Sequence, residues 1–240
     1  MIVAVIQART GSTRLPGKVL RRLGDRPVLE WVIGAARASK VFDEIVVATT
    51  TEVGDDDVAE LAEHCGALVV RGPVDDVLTR YLMAADATGA EVVVRLTADC
   101  PLLDPNLIAM CVRAFDADFV DYISTGQPRT VPHGLDVEVV AIGALRTAGV
   151  FADGVDRVHV TSYIYKHPDV FRIGGVTVVP ACPDLRVTLD EPDDARLLDA
   201  IVAELGDQAQ DWRAVEQLLR VRPDLVAINA HVRQKAIAEG

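Results

Sequence analysis

A loop of small and basic residues follows the first apolar run of this 240-residue chain. The apolar run covers residues 2–6, and the loop covers residues 7–18 with the sequence QARTGSTRLPGK. Backbone N–H groups and the cations Arg9, Arg14 and Lys18 could converge there on a triphosphate. The pattern therefore predicts a phosphate-binding loop after a buried strand and ahead of a helix, whose dipole would add to the attraction. The alternative is a basic turn whose cations face water.

This loop differs from the two common phosphate-binding motifs. Five residues separate Gly11 from Gly17, and Val19 follows Lys18 where a Walker A loop has Ser or Thr. The loop also lacks the G-x-G-x-x-G pattern of dinucleotide-binding folds. The motif comparison alone thus leaves open which phosphate compound the loop binds.

Two aspartates follow apolar segments farther along the chain. Asp99 comes after residues 91–97 and Asp190 comes after residues 185–189, and both segments are predicted strands. Carboxylates at two strand ends could hold a hard cation and leave positions for phosphate and water, and Mg²⁺ is the natural candidate. Each aspartate could instead cap the helix that follows it, because a proline comes soon after both. The combination with the basic loop favours the metal site.

These residues need a scaffold that brings several strand ends together. Short β-branched apolar runs at residues 2–8, 44–50, 67–71 and 91–97 alternate with helical patterns at residues 27–39, 55–65, 75–88 and 192–205. Continuous apolarity indicates strands that are buried on both faces. The alternation predicts an α/β fold with a doubly wound, mostly parallel, Rossmann-like sheet, in which ligands collect at the carboxyl ends of the strands. The second helix opens with three aspartates, Asp55 to Asp57, at the positive end of its dipole.

The second half of the chain has a looser pattern. Strand-like pieces at residues 118–125 and 135–142 predict a small β-containing insertion over about residues 118–180, within a single domain of residues 1–240. From Trp212 onward the sequence predicts one or two amphipathic helices.

Composition limits the possible partners. Half of the residues are hydrophobic, which supplies a sizeable core, and the net charge of −12 disfavours nucleic acid as a partner. The four cysteines are scattered, so we expect reduced thiols in a cytoplasmic protein rather than a zinc site or disulfides. The N-terminal apolar run is too short for a signal segment or a membrane span. We therefore expect small-molecule substrates, with no nucleic acid and no membrane.

The order of short motifs resembles one protein family. The matching segments are residues 7–9 with 12–18, 75–81, 95–102, 134–138, 159–165 and 185–192. Their combination is similar to the cytidylyltransferases that make CMP-activated acidic sugars, including the CMP-Kdo and CMP-acylneuraminate synthetases. It is most similar to the branch called spore coat polysaccharide biosynthesis protein F, and the resemblance covers nearly the whole chain.

The resemblance implies a Mg²⁺-dependent transfer of CMP from CTP to a small anionic acceptor, either an acidic sugar or a phosphonate, with release of pyrophosphate. It also implies a homodimer with a contact through the insertion. The residues that would bind the nucleotide are Ala8, Arg9, Thr10, Gly11, Ser12, Arg14, Lys18, Arg71, Asp75, Arg80 and Thr97. The catalytic set would be Arg14, Lys18, Asp99 and Asp190, with the two aspartates as metal ligands.

Polar residues of the second half are candidates for acceptor recognition, because Arg and His suit an acidic group. They are Arg129, His133, Asp136, Glu138, Arg157, His159 and Arg186. A surface or structural role is equally open for each of them.

Two other interpretations remain at this stage. A glycosyltransferase that consumes a nucleotide sugar would commonly carry an Asp-x-Asp pair, whereas Asp99-Cys100-Pro101 supplies one carboxylate and Asp116-Ala117-Asp118 lies on the wrong side of a helix. A non-catalytic relative would have lost the basic loop or a metal carboxylate, and this chain keeps both.

Overall fold

The structure is a computed structural model that describes residues 1–233. Its strands are β1 (Ile2–Gln7), β2 (Arg22–Leu23), β3 (Arg26–Pro27), β4 (Glu44–Thr50), β5 (Leu68–Gly72), β6 (Val92–Thr97), β7 (Tyr122–Ser124), β8 (Glu138–Ala141) and β9 (Ile173–Gly175). Its α-helices are α1 (Val28–Ser39), α2 (Asp56–His64), α3 (Val77–Thr88), α4 (Pro105–Asp118), α5 (Ile142–Phe151), α6 (Gly154–His159), α7 (Ser162–Lys166), α8 (Pro192–Leu205), α9 (Trp212–Val221) and α10 (Pro223–Asn229).

Seven of the described strands form one sheet in the order β5-β4-β1-β6-β8-β7-β9. Strands β5, β4, β1 and β6 are parallel, and β8 runs antiparallel to both β6 and β7. From β1 the chain moves outward to β4 and β5 and then returns to β6 on the other side of β1. The loops after β1 and β6 therefore diverge at a topological switch point. The predicted α/β, mostly parallel sheet is confirmed.

Helices cover both faces of this sheet, because its central strands are apolar on both sides. Ala4 and Ile6 belong to a buried cluster with α1, α2 and α4, whereas Val3 and Val5 belong to a second cluster with α3 and α5. Complete burial of these four side chains explains the continuous apolar run in the sequence.

A third apolar cluster joins the C-terminal helices to the rest of the fold. Helices α8, α9 and α10 pack with Trp31 of α1 and with the segment at residues 185–189. The Trp31 indole N–H donates a hydrogen bond of 2.9 Å to the Leu23 carbonyl, so its buried polar group is satisfied. The predicted amphipathic helices after Trp212 are α9 and α10.

The predicted strand at residues 185–189 is wrong. The segment is extended, but it makes only an isolated bridge between Arg186 and His133, with no place in the main sheet. Leu185, Val187 and Leu189 are buried against the C-terminal helices. The alternation that predicts a strand thus reflects packing against helices rather than pairing in the sheet.

The strands of the second half extend the main sheet. Because α4 continues to Asp118, the strand predicted at residues 118–125 is reduced to β7, and the one predicted at 135–142 is β8. Among residues 1–233, no helix combines the length and the apolar composition needed to cross a bilayer.

Gly134 lies where residues 133–134 pass the extended segment. Its φ is +100°, and a Cβ atom there would lie 2.4 Å from the Thr188 nitrogen and 2.6 Å from the Val187 carbonyl carbon. We expect Gly134→Ala to lower the free energy of unfolding by about 3 kcal/mol or more, from backbone strain plus overlap with fixed backbone atoms. Urea denaturation measures this loss.

Gly89→Ala is the matched control, because Gly89 also has a positive φ of 69° but a methyl group added there would have no other atom within 4 Å. It should cost only roughly 1–2 kcal/mol. Equal losses for the two variants would contradict the close approach at Gly134.

Candidate active site

A cleft of about 530 Å³ opens at the carboxyl ends of β1 and β6. Strand pairing places it, because Gln7 pairs with Thr97 and the residues that follow both strands continue toward the same edge. The predicted residues that line the cleft are Ala8, Arg9, Gly11, Ser12, Arg14, Lys18, Arg80, Thr97, Asp99, Arg129, His133, Asp136, Glu138, His159 and Asp190. The structure therefore brings both halves of the predicted site into one space.

The Lys18 ammonium lies between the two aspartates. Its Nζ is 3.0 Å from Asp99 Oδ2, 2.9 Å from Asp190 Oδ1 and 2.8 Å from the Leu189 carbonyl oxygen. Only 9% of Lys18 is exposed. The cation thus joins the loop after β1, the end of β6 and the extended segment, and it does not face water as the basic-turn alternative requires.

Charge pairing sets the ionisation of this group. Burial alone would lower the pKa of Lys18, but Asp99 and Asp190 outweigh it and hold that pKa above its usual value. Burial would likewise raise the pKa of Asp99, but the Lys18 ammonium outweighs it and keeps the pKa low. Lys18 is therefore a cation and Asp99 a carboxylate at neutral pH.

The capping alternative for the two aspartates is wrong. The side chain of Asp104 caps α4 by accepting a hydrogen bond of 2.6 Å from the Asn106 N–H. Glu191 and Asp194 form the capping box of α8. Asp99 and Asp190 each precede a cap, which leaves their carboxylates to face the cleft.

The predicted phosphate-binding loop, residues 7–18, is folded around Thr10. The Thr10 carbonyl accepts hydrogen bonds of 2.8 Å from Ser12 N–H and 2.9 Å from Gly17 N–H. Its own N–H and hydroxyl donate to Asp55 Oδ1 at 2.7 and 2.8 Å, so Thr10 points away from the cleft. The Thr50 hydroxyl donates to the other oxygen of Asp55. Asp55 therefore fixes the loop from behind, a role that the sequence interpretation missed.

The helix predicted at residues 27–39 is α1, but it does not follow the loop directly. Residues after Gly17 form turns and then the β2–β3 hairpin, and α1 begins only at Val28. The Val28 and Leu29 N–H groups at the start of α1 donate to the Arg21 and Val19 carbonyls at 2.9 Å each, so they are not free for a phosphate.

Two arginines that line the cleft, Arg9 and Arg80, have no carboxylate partner among the described residues. Arg9 is exposed, whereas only 2% of Arg80 is exposed. Arg80 Nη1 donates to the carbonyls of Pro73 and Val74, the latter at 3.0 Å, and its Nε has no hydrogen-bond partner within residues 1–233. Burial lowers the pKa of Arg80, yet an arginine stays protonated. A buried cation without a counter-ion favours an anionic ligand.

The other half of the cleft contains paired charges. Arg95 forms an ion pair with Glu138, and Arg129 forms one with Asp136. Glu138 also accepts hydrogen bonds from the hydroxyls of Tyr122, at 3.1 Å, and Thr161. Burial lowers the pKa of His133 most strongly, followed by the charge of Arg129, so the ring is neutral near pH 7. Sequence reasoning missed Arg95 as a cleft residue, although an arginine inside an apolar strand is itself a signal.

Four further predicted residues, besides Thr10, lie outside the cleft. Arg71 donates to the Thr50 and Glu52 carbonyls, and Asp75 is exposed. Arg157 donates to Asp76 and Thr79 at the start of α3. Arg186 binds Asp190 and Asp194 behind the cleft.

The carboxylates fit a divalent cation that also binds phosphate. Within residues 1–233, no cluster of three or more His, Cys, Asp or Glu side chains could hold a metal by itself. Asp99 and Asp190 nevertheless converge on a single cation, Lys18 Nζ. Mg²⁺ usually takes one or two carboxylates and completes its shell with water and substrate phosphates. Two convergent carboxylates beside a basic loop meet that requirement.

Comparison with known proteins agrees with this geometry. A family model described as Cytidylyltransferase matches residues 3–191. The chain belongs to the cytidylyltransferase family. It is therefore a nucleotidyltransferase, which confirms the resemblance inferred from the motifs and excludes the glycosyltransferase interpretation.

Individual relatives of this cytidylyltransferase cover nearly its whole length. Spore coat polysaccharide biosynthesis protein SpsF of Bacillus subtilis is 34% identical over 236 residues, which cover 93% of this chain and 95% of that protein. A 3-deoxy-manno-octulosonate cytidylyltransferase of Acidobacterium capsulatum is 30% identical over 247 residues, covering 92% and 97%. The solved structure of a cytidylyltransferase from Leptospira borgpetersenii has a TM-score of 0.89 at 26% identity over 98% of both chains.

The ionisation of Asp55 should make the stability of this cytidylyltransferase depend on pH. Burial would raise that pKa, but hydrogen bonds from Thr10 and Thr50 outweigh it and hold the pKa below its usual value. Ionised Asp55 therefore stabilises the folded state at pH values above its unfolded-state pKa of about 3.9. This stabilisation is lost as the pH falls through the lower pKa that Asp55 has in the folded state. We expect Asp55→Asn to lower the free energy of unfolding by roughly 1–2 kcal/mol at pH 7, with a shrinking difference from wild type below about pH 4.

Urea denaturation between pH 3 and pH 8 measures this effect, and the KM for CTP should rise because the loop loosens. Asp57→Asn is the matched control, since Asp57 belongs to the same run of aspartates but is exposed. A pH-independent difference between Asp55→Asn and wild type would contradict the assignment.

Proposed function

We propose that this cytidylyltransferase transfers CMP from CTP to a small anionic acceptor, an acidic sugar or a phosphonate, in a Mg²⁺-dependent reaction that releases pyrophosphate. The charge of the cleft carries the proposal. Six Arg and Lys side chains line it against four carboxylates, in a chain whose net charge is −12. A local surplus of positive charge inside a cleft favours the binding of a small anion that carries several negative charges.

The phosphate loop supports a site for the triphosphate. Arg9 and Arg80 lack carboxylate partners among the described residues, and Arg14 and Lys18 are held on the aspartates beside them. An incoming triphosphate can therefore bind two cations at once and draw on two more. We propose that Ala8, Gly11, Ser12 and Thr97 contact the nucleotide from the cleft wall.

The reaction is proposed to be an in-line attack of an acceptor oxygen on the α-phosphorus of CTP. The bond between the α-phosphorus and the oxygen that bridges it to the β-phosphate breaks, and pyrophosphate leaves with the electron pair. An acceptor that attacks through a hydroxyl releases its proton to solvent. Arg14 and Lys18 can donate to phosphate oxygens and stabilise the charge that develops on the leaving group. A divalent cation held by Asp99 and Asp190 would offset charge on the phosphates.

The paired charges at the other end of the cleft support an acceptor that carries both hydroxyls and an acidic group. Asp136 and Glu138 can accept from hydroxyls, whereas Arg95 and Arg129 can donate to a carboxylate or phosphonate. The name of the Acidobacterium relative specifies 3-deoxy-manno-octulosonate, a sugar acid. His133 and His159 line the same end and are proposed to contact the acceptor.

We further propose that the segment at about residues 118–180 contributes both the acceptor site and a homodimer contact. Val150, Phe151 and Val170 are large exposed apolar side chains of this segment, a composition suited to an interface. A cytoplasmic location fits four cysteines that are all free thiols.

Pyrophosphate release tests the reaction. The purified protein is incubated with Mg²⁺, each of the four NTPs and a panel of acidic sugars and phosphonates, and products are identified by mass spectrometry. We expect turnover with CTP and a CMP-linked product. Asp99→Asn should reduce kcat by roughly 100-fold or more, because it removes an ionised group at the reacting phosphates.

Asp116→Asn serves as the control, since Asp116 is an exposed aspartate on α4 and belongs to the rejected Asp-x-Asp motif. It should keep wild-type kcat. Turnover with a different NTP and none with CTP would refute the proposed substrate.

Metal binding gives a separate prediction. Because the site has only two convergent carboxylates among the described residues and Lys18 already binds both, Mg²⁺ alone should barely raise the melting temperature. Mg²⁺ together with CTP should raise it by several degrees more than CTP alone, because phosphate oxygens complete the metal shell. Differential scanning fluorimetry compares the three conditions. An equal rise with CTP alone would exclude a metal held between carboxylates and phosphates.

A further inference from the structure

We propose that Arg186, Asp194 and Asn229 are positioning residues that anchor one oxygen of Asp190 from behind the cleft, so that its other oxygen is presented to metal and nucleotide. The inference rests on the proposed function, because it takes Asp190 as a metal ligand. It assigns a role to the C-terminal helices, which lie beyond the family match at residues 3–191.

Asp190 needs such an anchor because no sheet strand carries it. Asp99 follows β6, which pairs with β1 on one side and with β8 on the other. The segment that carries Asp190 makes three backbone hydrogen bonds to residues 133 and 99: His133 N–H to the Leu185 carbonyl at 2.9 Å, Val187 N–H to the His133 carbonyl at 2.7 Å, and Leu189 N–H to the Asp99 carbonyl at 2.8 Å. Side chains must therefore hold Asp190 in position, whereas the hydrogen bonds between neighbouring strands hold Asp99 in position.

The two oxygens of Asp190 have different surroundings. Oδ1 faces the cleft, where it lies 2.9 Å from Lys18 Nζ and 3.2 Å from Arg14 Nη2. Oδ2 faces inward and lies 3.2 Å from Arg186 Nη2. The buried guanidinium thus sets the direction of the carboxylate and leaves one oxygen for ligands in the cleft.

Asp194 in turn holds Arg186. Arg186 Nε and Nη2 bind the two oxygens of Asp194 at 2.9 Å each, a bidentate geometry that fixes the plane of the guanidinium. The same carboxylate accepts the N–H groups of Asp190 and Glu191 at 3.0 Å each. Asp194 is fully buried, so its orientation depends on these donors.

Asn229 completes the network from the last described helix. Its Nδ2 donates to Asp194 Oδ1 at 2.9 Å and to the Arg186 carbonyl at 3.3 Å, and only 4% of the residue is exposed. Asn229 touches both residues that orient Asp190 and makes its own hydrogen bonds one step away from that carboxylate. The neutral side chain of Asn229 is thereby linked to Asp190 through Arg186 and through Asp194, each of which contacts Asp190 directly.

Residues that hold a metal-binding carboxylate in place raise the affinity for the metal, because a carboxylate that is free to rotate spends less time directed at the ion. A purely structural role in packing α10 would instead lower stability without a specific effect on metal binding. The experiment must therefore separate metal binding from both stability and nucleotide binding.

Three full-length variants make this separation. Asn229→Ala removes the last donor without changing charge, and Arg186→Lys keeps the charge but loses the planar, bidentate contact with Asp194 that fixes the guanidinium. Leu225→Ala is the matched control, because Leu225 lies on the same helix and packs in the apolar cluster outside the polar network. Electron paramagnetic resonance measures the binding of Mn²⁺ in the presence of CTP. Calorimetry measures the binding of CTP without metal. Pyrophosphate release measures how kcat depends on the Mg²⁺ concentration.

We expect Asn229→Ala and Arg186→Lys to weaken Mn²⁺ binding by roughly 10-fold or more. CTP binding without metal should change by less than about twofold, because neither side chain lines the cleft. The rate of Asn229→Ala should recover at high Mg²⁺. Leu225→Ala should lower the melting temperature and leave the Mn²⁺ constant at the wild-type value.

Suppose that the wild-type protein releases pyrophosphate from CTP, and that Asn229→Ala and Arg186→Lys bind Mn²⁺ as tightly as Leu225→Ala. That result would overturn the positioning role and leave the proposed function intact. A wild-type protein without CTP turnover would overturn both. If Arg186→Lys fails to fold, Asn229→Ala decides the question alone.

Discussion

The ammonium of Lys18 between Asp99 and Asp190 is the interaction on which the site depends. A buried charge without partners costs several kcal/mol, so the three groups are stable only when all are brought together. They come from three separate parts of the chain: the loop after β1, the end of β6 and the extended segment at residues 185–189. Pairing of β1 with β6 brings the first two together. The third is held by the cluster that the C-terminal helices complete.

This arrangement also suits an exchange of partners. Under the proposed function, a triphosphate would compete with the aspartates for Lys18 and Arg14, and a divalent cation would compete with those same side chains for the aspartates. If both ligands bind, each charged group exchanges one partner of opposite charge for another, and no buried charge is left unpaired. Binding of one ligand alone would leave part of the cluster without a partner. Under the proposed function, ligand binding at the loop of residues 7–18 and at the two carboxylates would therefore be energetically linked, although they belong to different segments.

Sequence patterns predicted the parts of this design that depend on local physics. The parallel strands were predicted because burial on both faces demands continuous apolarity, and β4 agrees to the residue. Partners set by tertiary contacts were not predictable. Asp55, Asp56 and Asp57 look alike in the sequence, yet the first holds the phosphate loop, the second pairs with Arg71 and the third is exposed. Which one turns toward the loop depends on how the end of β4 lies beside β1.

The same limit explains the acceptor candidates. Arg157 and Arg186 have the residue type expected for binding an anion, but each is bound to carboxylates of this chain and lies outside the cleft. In a chain of net charge −12, most arginines find an acidic partner. The informative arginines are therefore Arg9 and Arg80, for which the described residues provide none. An acidic exterior repels long polyanions, while the few unpaired cations inside the cleft attract a small one. The proposed preference for a small phosphate ligand thus rests on the absence of carboxylates beside Arg9 and Arg80, and only the folded chain reveals which arginines lack such a partner.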